Sequence, residues 1–150
     1  MKKYQFIVVW ALLLIIDQLS KYYLFNMRYL SNYSIFEPVM NTWISFSWSI
    51  SYALVIPLTI AALWVFIYLL RKKEISVVIF VLLCAGTVGN LLDRIVYNGV
   101  RDFIVMFDRF VYNISDLYLS LAVGMILVWI VRGNKKLPHH SSWNSLIYYL

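Results

Sequence analysis

Four long apolar runs, at residues 4–25, 51–70, 75–92 and 113–131, are separated by shorter polar stretches along the chain. A bilayer core about 30 Å thick is crossed by about 20 apolar residues at a rise of ~1.5 Å each, so every run predicts a membrane-spanning helix. An unpaired backbone amide is costly in lipid, which leaves helices rather than isolated strands for runs of this length. Pro57 falls in the first turns of the second run, where a missing amide hydrogen does least harm. The connection 26–50 is rich in Tyr, Ser, Asn and Trp, with Arg28 and Glu37 as its charges. Such a segment suits the headgroup region, where aromatic rings sit with one end wet. Alternation over residues 42–48 predicts a short amphipathic strand.

Composition excludes a water-soluble globule. Hydrophobic residues make up 63% of the 150 positions and charged ones 13%, against about 25% charged in soluble domains. The outer face must therefore meet lipid. A net charge of +6 could suit nucleic acid, but its placement speaks for topology. Lys2 and Lys3 precede the first helix, Arg71, Lys72 and Lys73 fill the short turn between helices two and three, and Arg132, Lys135 and Lys136 follow the fourth helix. All three clusters fall on one side, which the positive-inside rule assigns to the cytoplasm. Both termini are then cytoplasmic, and the connections 26–50 and 94–112 lie outside. The start imitates a signal peptide without a small-residue cleavage site, so it reads as a retained anchor. The chain divides into a membrane domain at 1–132 and a cytoplasmic polar tail at 133–150. Cys84, the single cysteine, reads as a packing residue.

An ionised side chain at mid-bilayer costs at least about 2.5–3.5 kcal/mol, so each one needs a reason. Asp17 and Lys21 lie four apart on helix one, as an ion pair that is either structural or a support for the outer connections. On helix three, Gly86, Asn90 and either Asp93 or Arg94 share a face; Gly permits close helix contact and Asn supplies interhelical hydrogen bonds. Asp93 beside Arg94 reads as local charge compensation. The Gly-rich run lacks a phosphate-loop pattern, which speaks against nucleotide. Asp102, Asp108 and Asp116 follow, the last sharing a helix face with Asn113 near a helix N-terminus, where negative charge is favoured. These acids are either solvated and capping charges or the makings of a site.

No metal or cofactor is implied: His139 and His140 stand in the tail without ligand spacing. No outside serine has a plausible histidine base. Any hydrolysis would fall to carboxylates and water. Two carboxyl groups that share a proton cannot both ionise readily, so one ionised member activates water while the protonated one donates to the carbonyl oxygen.

Five pieces taken in order carry a resemblance: Asp17-Gln18-Leu19-Ser20-Lys21; Asn41-Thr42 with Phe46; Gly89-Asn90-Leu91-Leu92-Asp93-Arg94; Gly99-Val100-Arg101-Asp102-Phe103-Ile104; and Asn113-Ile114-Ser115-Asp116. Together they resemble the lipoprotein signal peptidases (signal peptidase II), over about residues 17–124. The resemblance implies an all-α integral membrane fold of four helices with a small extracytoplasmic β-element after helix one. It implies an aspartyl endopeptidase that cuts prolipoproteins before a diacylglyceryl-modified cysteine, at the outer face of the bacterial cytoplasmic membrane. By that resemblance Asp102 and Asp116 are the catalytic pair. Asn41, Asn90, Arg94 and Asn113 hold substrate or steady the pair, and Asp17, Lys21, Gly86 and Asp93 give structural support. The implied partners are lipidated precursors and membrane lipid, with no nucleic acid, and the chain reads as a monomer. Trp43, Ile44 and Ser45 stand where the family usually has Gly and Ala, Ser115 replaces an Ala, and the interval from Asp102 to Asp116 is short. These departures bear on substrate fit and leave both acids in place. A catalytically silent homologue that binds lipopeptide or inhibitor is the alternative. A proton relay or transporter is a third reading, against which the acids gather toward one side rather than spreading through the membrane depth.

Overall fold

Each of the four apolar runs forms a helix: α1 (Lys3–Asn26), α2 (Tyr52–Arg71), α3 (Val77–Tyr97) and α4 (Ile114–Val131). The computed structural model describes residues 3–27, 35–42, 52–106 and 110–132. All four helices are long and apolar enough to cross a membrane. Large apolar side chains such as Leu58, Trp64, Leu127 and Val131 stand exposed on them, as they must if lipid rather than protein covers the outside.

α3 is the axle of the bundle. More than half of its apolar stretch is buried, far more than in the other three, and it packs against α1, α2 and α4. Ile79, Leu82 and Leu83 form the core with Ile75 and Ala122. Glycine makes the α3–α4 approach possible: a Cβ on Gly86 would stand 2.6 Å from the Ser115 carbonyl oxygen and 2.7 Å from Leu119 Cγ. Tight helix contact in lipid depends on such small residues. Ser76 caps the start of α3, its hydroxyl accepting from the Ile79 amide.

The apolar pattern ends the third helix at residue 92, but the helix runs on to Tyr97 and closes on Asn98 in the left-handed conformation, at φ 54°. Asp93 does not stop it because its charge is neutralised from outside the helix. Pro57 lies in the second turn of α2, where it removes one amide donor without ending the helix.

Three antiparallel strands in the order β1 (Phe36–Asn41), β2 (Val100–Met106) and β3 (Phe110–Tyr112) form a small sheet with β2 in the middle. The small β-element expected after helix one is β1, which ends at Asn41; of the strand expected at 42–48, residues 43–48 lie outside the described residues. β1 carries Pro38, which cannot donate to a ladder and is admitted because this is an edge strand. The register shifts between Phe36 and Val39, around that proline. The second connection, read as a loop, supplies the other two strands. Its pairing sets Val39 opposite Asp102 and Asn41 opposite Val100. Asp108, Trp43, Ile44, Ser45 and the tail 133–150 also lie outside the described residues.

Candidate active site

Four elements converge where α3 stops and α4 begins. α4 opens with a capping box: the Asn113 side chain accepts from the Asp116 amide at 3.0 Å, and Asp116 Oδ2 accepts from the Asn113 amide at 3.2 Å. Two otherwise orphaned backbone donors are satisfied reciprocally. The Asn113 side-chain Nδ2 is then free to point away from the helix, and it donates to Asp102 Oδ1 at 2.6 Å and to Asn90 Oδ1 at 3.1 Å.

Asp102 reaches this point from β2. Its second oxygen accepts from Asn41 Nδ2 at 2.8 Å, a contact made possible by the β1–β2 pairing. Asp116 Oδ1 accepts from Asn90 Nδ2 at 2.8 Å. Each carboxylate thus receives two N–H donors, and Asn113 serves both. Asp102 is 1% exposed. Burial, and next the negative Asp116, push its carboxyl from the ordinary 3.8 up to about 6; the Asn41 and Asn113 donors and the Lys21 ammonium pull the other way.

Behind Asn90 lies a fully buried ion pair. Lys21 Nζ stands 2.9 Å from Asp17 Oδ2 and 3.0 Å from Asn90 Oδ1. The i, i+4 spacing expected to pair Asp17 with Lys21 does so, with no exposure of either side chain. Asp17 Oδ1 accepts from the Ser115 amide at 2.8 Å and ties α1 to the first turn of α4. Gln18 donates to the Gly89 carbonyl at 3.2 Å and to Asp17 at 3.0 Å. A Cβ on Gly89 would collide with Ser115 Oγ and come within 2.6 Å of Asp17 Oδ2. The Ser115 side chain therefore points at the Gly89 notch.

Asn41, Asn90, Asp102, Asn113 and Asp116 are brought together, with Asp17 and Lys21 supporting them. Arg94 is on the same helix, its Nη1 donating to the Asn90 carbonyl at 3.3 Å. Gly86 serves the α3–α4 contact one turn away. The reading of Asp93 as compensated by its neighbour Arg94 is corrected. Asp93 is fully buried, and its partner is Arg101: Nη2 lies 2.8 Å from Oδ1 and Nε 3.1 Å from Oδ2, with the Arg101 amide donating to Oδ2 at 2.9 Å. Adjacent helical residues project about 100° apart, so Asp93 and Arg94 do not share a face. Sequence reasoning singled out neither Arg101 nor Gln18, which are joined by an Nη2–Oε1 hydrogen bond of 3.1 Å. An arginine inside a strand and a glutamine beside an ion pair carry no spacing signal of their own. Among the described residues, no group of three or more His, Cys, Asp or Glu side chains is placed to hold a metal.

A family model described as signal peptidase (SPase) II matches residues 9–132. The chain belongs to the signal peptidase II family. Among relatives, the lipoprotein signal peptidase of Pelagibacter ubique (strain HTCC1062) is 38% identical over 73 residues, 45% of this chain and 44% of that one. The chain thus spans less than half the length of that relative. The lipoprotein signal peptidase of Bartonella tribocorum (strain CIP 105476 / IBS 506) is 30% identical over 118 residues, 71% of each chain. A solved structure of a bacterial membrane enzyme superposes with a TM-score of 0.72 at 22% identity, covering 92% of this chain and 95% of the other. That likeness confirms the fold: four apolar helices with a small sheet at one end. The chain is a multi-pass membrane protein of this signal peptidase II family.

Proposed function

We propose that the chain is a membrane-embedded aspartyl endopeptidase that removes the signal peptide from lipid-modified prolipoproteins, cutting before the diacylglyceryl-cysteine. Membership of the signal peptidase II family supports the substrate class. The observation that carries the chemistry is the joint grip of Asn113 on two carboxylates, the buried Asp102 and the half-buried Asp116. Each carboxylate oxygen accepts one N–H donor, and an oxygen with two lone pairs keeps one for a shared proton or a water. The ionised member takes a proton from water as it attacks the scissile carbonyl, and the protonated member donates to the carbonyl oxygen. On collapse the amide nitrogen leaves with a proton, and the pair returns to sharing one. The two acids titrate as a unit.

The rest of the assignment follows from this pair. Asn41, Asn90 and Asn113 fix its geometry, and Arg94 faces the substrate. Arg71, Lys72 and Lys73 sit at the opposite end of α3 from the site. By the positive-inside rule this supports a site at the extracytoplasmic face of the bacterial cytoplasmic membrane, with both termini in the cytoplasm. Residues 1–132 make up the peptidase as a monomer and 133–150 a cytoplasmic tail. The test is incubation of purified protein with a diacylglyceryl-modified, signal-bearing precursor, the products being sized by mass spectrometry. Cleavage immediately before the modified cysteine is expected. An uncut precursor overturns the proposal.

A further inference from the structure

Arg101 is 5% exposed, and its guanidinium is held on three sides. Asp93 takes two of its N–H groups, Gln18 Oε1 takes a third, and the Tyr97 ring lies 4.2 Å from Cζ. A planar fork matched to both oxygens of a carboxylate neutralises it more fully than a point charge can. Lys21 is a second cation near Asp93, at 3.9 Å from Oδ2, whereas it is 2.9 Å from Asp17 and 3.0 Å from Asn90. Lys21 therefore stands between two acids, closer to Asp17 than to Asp93.

That position reaches the carboxylate pair through Asn90. An amide has one accepting oxygen and one donating nitrogen. Lys21 and Asn113 both donate to Asn90 Oδ1, so Nδ2 is the end turned to Asp116. If Lys21 were drawn off to Asp93, one of the two contacts that set this orientation would be lost. Among the described residues, the charged groups facing the network are Asp17 and Lys21 from α1, Asp93 and Arg94 from α3, Arg101 and Asp102 from β2, and Asp116 from α4; Glu37 on β1 is exposed.

We propose that Arg101 is a positioning residue: by neutralising Asp93 at two points it leaves Lys21 committed to Asn90, and so orients the amide that donates to Asp116. Its backbone amide, on the same carboxylate, pins β2 and hence Asp102 against α3. The inference rests on the peptidase reading for its catalytic consequence, but the network it describes is open to measurement without turnover.

The experiment compares wild type, Arg101→Met, Arg101→Lys and the charge-neutral pair Arg101→Met/Asp93→Asn in detergent. Two quantities are read: kcat and KM on the lipidated precursor, and the titration midpoint of the carboxyl infrared band that disappears in Asp102→Asn. Arg101→Met is expected to lower kcat by about tenfold or more with little change in KM, the signature of a misplaced catalytic group. It is also expected to raise the Asp102 midpoint, because Lys21 no longer faces that acid. Arg101→Lys falls between. The neutral pair regains most of both quantities, because Asp93→Asn removes the unpaired charge while Asn can still accept from the residue 101 amide. A wild-type-like Arg101→Met overturns the inference. So does a neutral pair that is no better than the single variant, since the loss would then be one of packing. If Arg101→Met does not accumulate folded, the neutral pair alone decides: folded with near-wild-type values supports the inference, and failure to fold overturns it. A wild type that titrates as described but cuts nothing sinks the peptidase reading and leaves the network to be judged by its midpoints.

Discussion

The Asn113 side-chain amide lies 2.6 Å from Asp102 Oδ1, across the junction between sheet and helix. The same residue caps α4 through its other side-chain atom, Oδ1. One asparagine thus has a stability role and a bridging role on different atoms, and the two can be separated.

Asn113→Ser is the variant that does so. Serine is as good an N-cap as asparagine, so helix stability should change by less than about 1 kcal/mol. Its shorter side chain has no second arm to reach Asp102 and Asn90. Cleavage is expected to fall at least about tenfold, the order of one lost charge-assisted donor. Unfolding temperature in detergent and precursor turnover, measured on one preparation, check both halves. Equal loss of the two would mean that Asn113 only caps.

Asp102→Asn and Asp116→Asn should each abolish cleavage, while Asp108→Asn leaves it largely intact. Neither amide can take a proton from water. Parallel circular dichroism guards against misfolding, and turnover close to wild type in either of the first two would remove that residue from the pair. Damage by Asp108→Asn as severe as theirs would shift the choice of partner.

How much of this was legible in the sequence divides along physical lines. The helices were, because twenty apolar residues in lipid have one low-energy form. β2 and β3 were not: their burial comes from packing onto helix ends far away in sequence, and nothing local marks it. Asp93 and Arg94 look like a helix boundary only while their partners are unknown; Arg101, which makes Asp93 affordable, comes after the helix has ended. Spacing left Asp93, Asp102, Asp108 and Asp116 as equal candidates, and family resemblance alone chose two of them. The Asn41–Asp102 contact depends on β1–β2 register, which the sequence did not specify.

A pH dependence follows from the carboxyl of Asp102 at about 6. Its folded value lies above its ordinary value of 3.8, so the folded state holds a proton that the unfolded state gives up. The stability this supplies is fully present below about pH 4 and is lost as pH rises through about 6. At about 1.4 kcal/mol per pH unit the difference is of order 2–3 kcal/mol. Asp102→Asn should flatten the wild-type decline in unfolding temperature between about pH 4 and 7. An unchanged slope would show that Asp102 titrates where an exposed aspartate does.

Gly89 and Ser115 offer the sharpest test of the packing beneath the site. Ser115 is fully buried, and among the described residues its Oγ has no hydrogen-bond partner. Ser115→Ala should therefore be neutral or stabilising by up to about 1–2 kcal/mol, since it removes an unsatisfied hydroxyl. Gly89→Ala should be destabilising by about 1–3 kcal/mol, because its Cβ meets Ser115 Oγ and Asp17 Oδ2. Asp17 cannot yield readily while Lys21, Gln18 and the Ser115 amide hold it. The nearest obstacle, however, is the serine oxygen. Gly89→Ala/Ser115→Ala should recover part of the loss but not all, as the Asp17 contact remains. A double-mutant cycle on unfolding free energies gives the coupling directly. Strict additivity would mean that the two side chains do not meet, and that α3 and α4 sit farther apart at this level than the geometry requires.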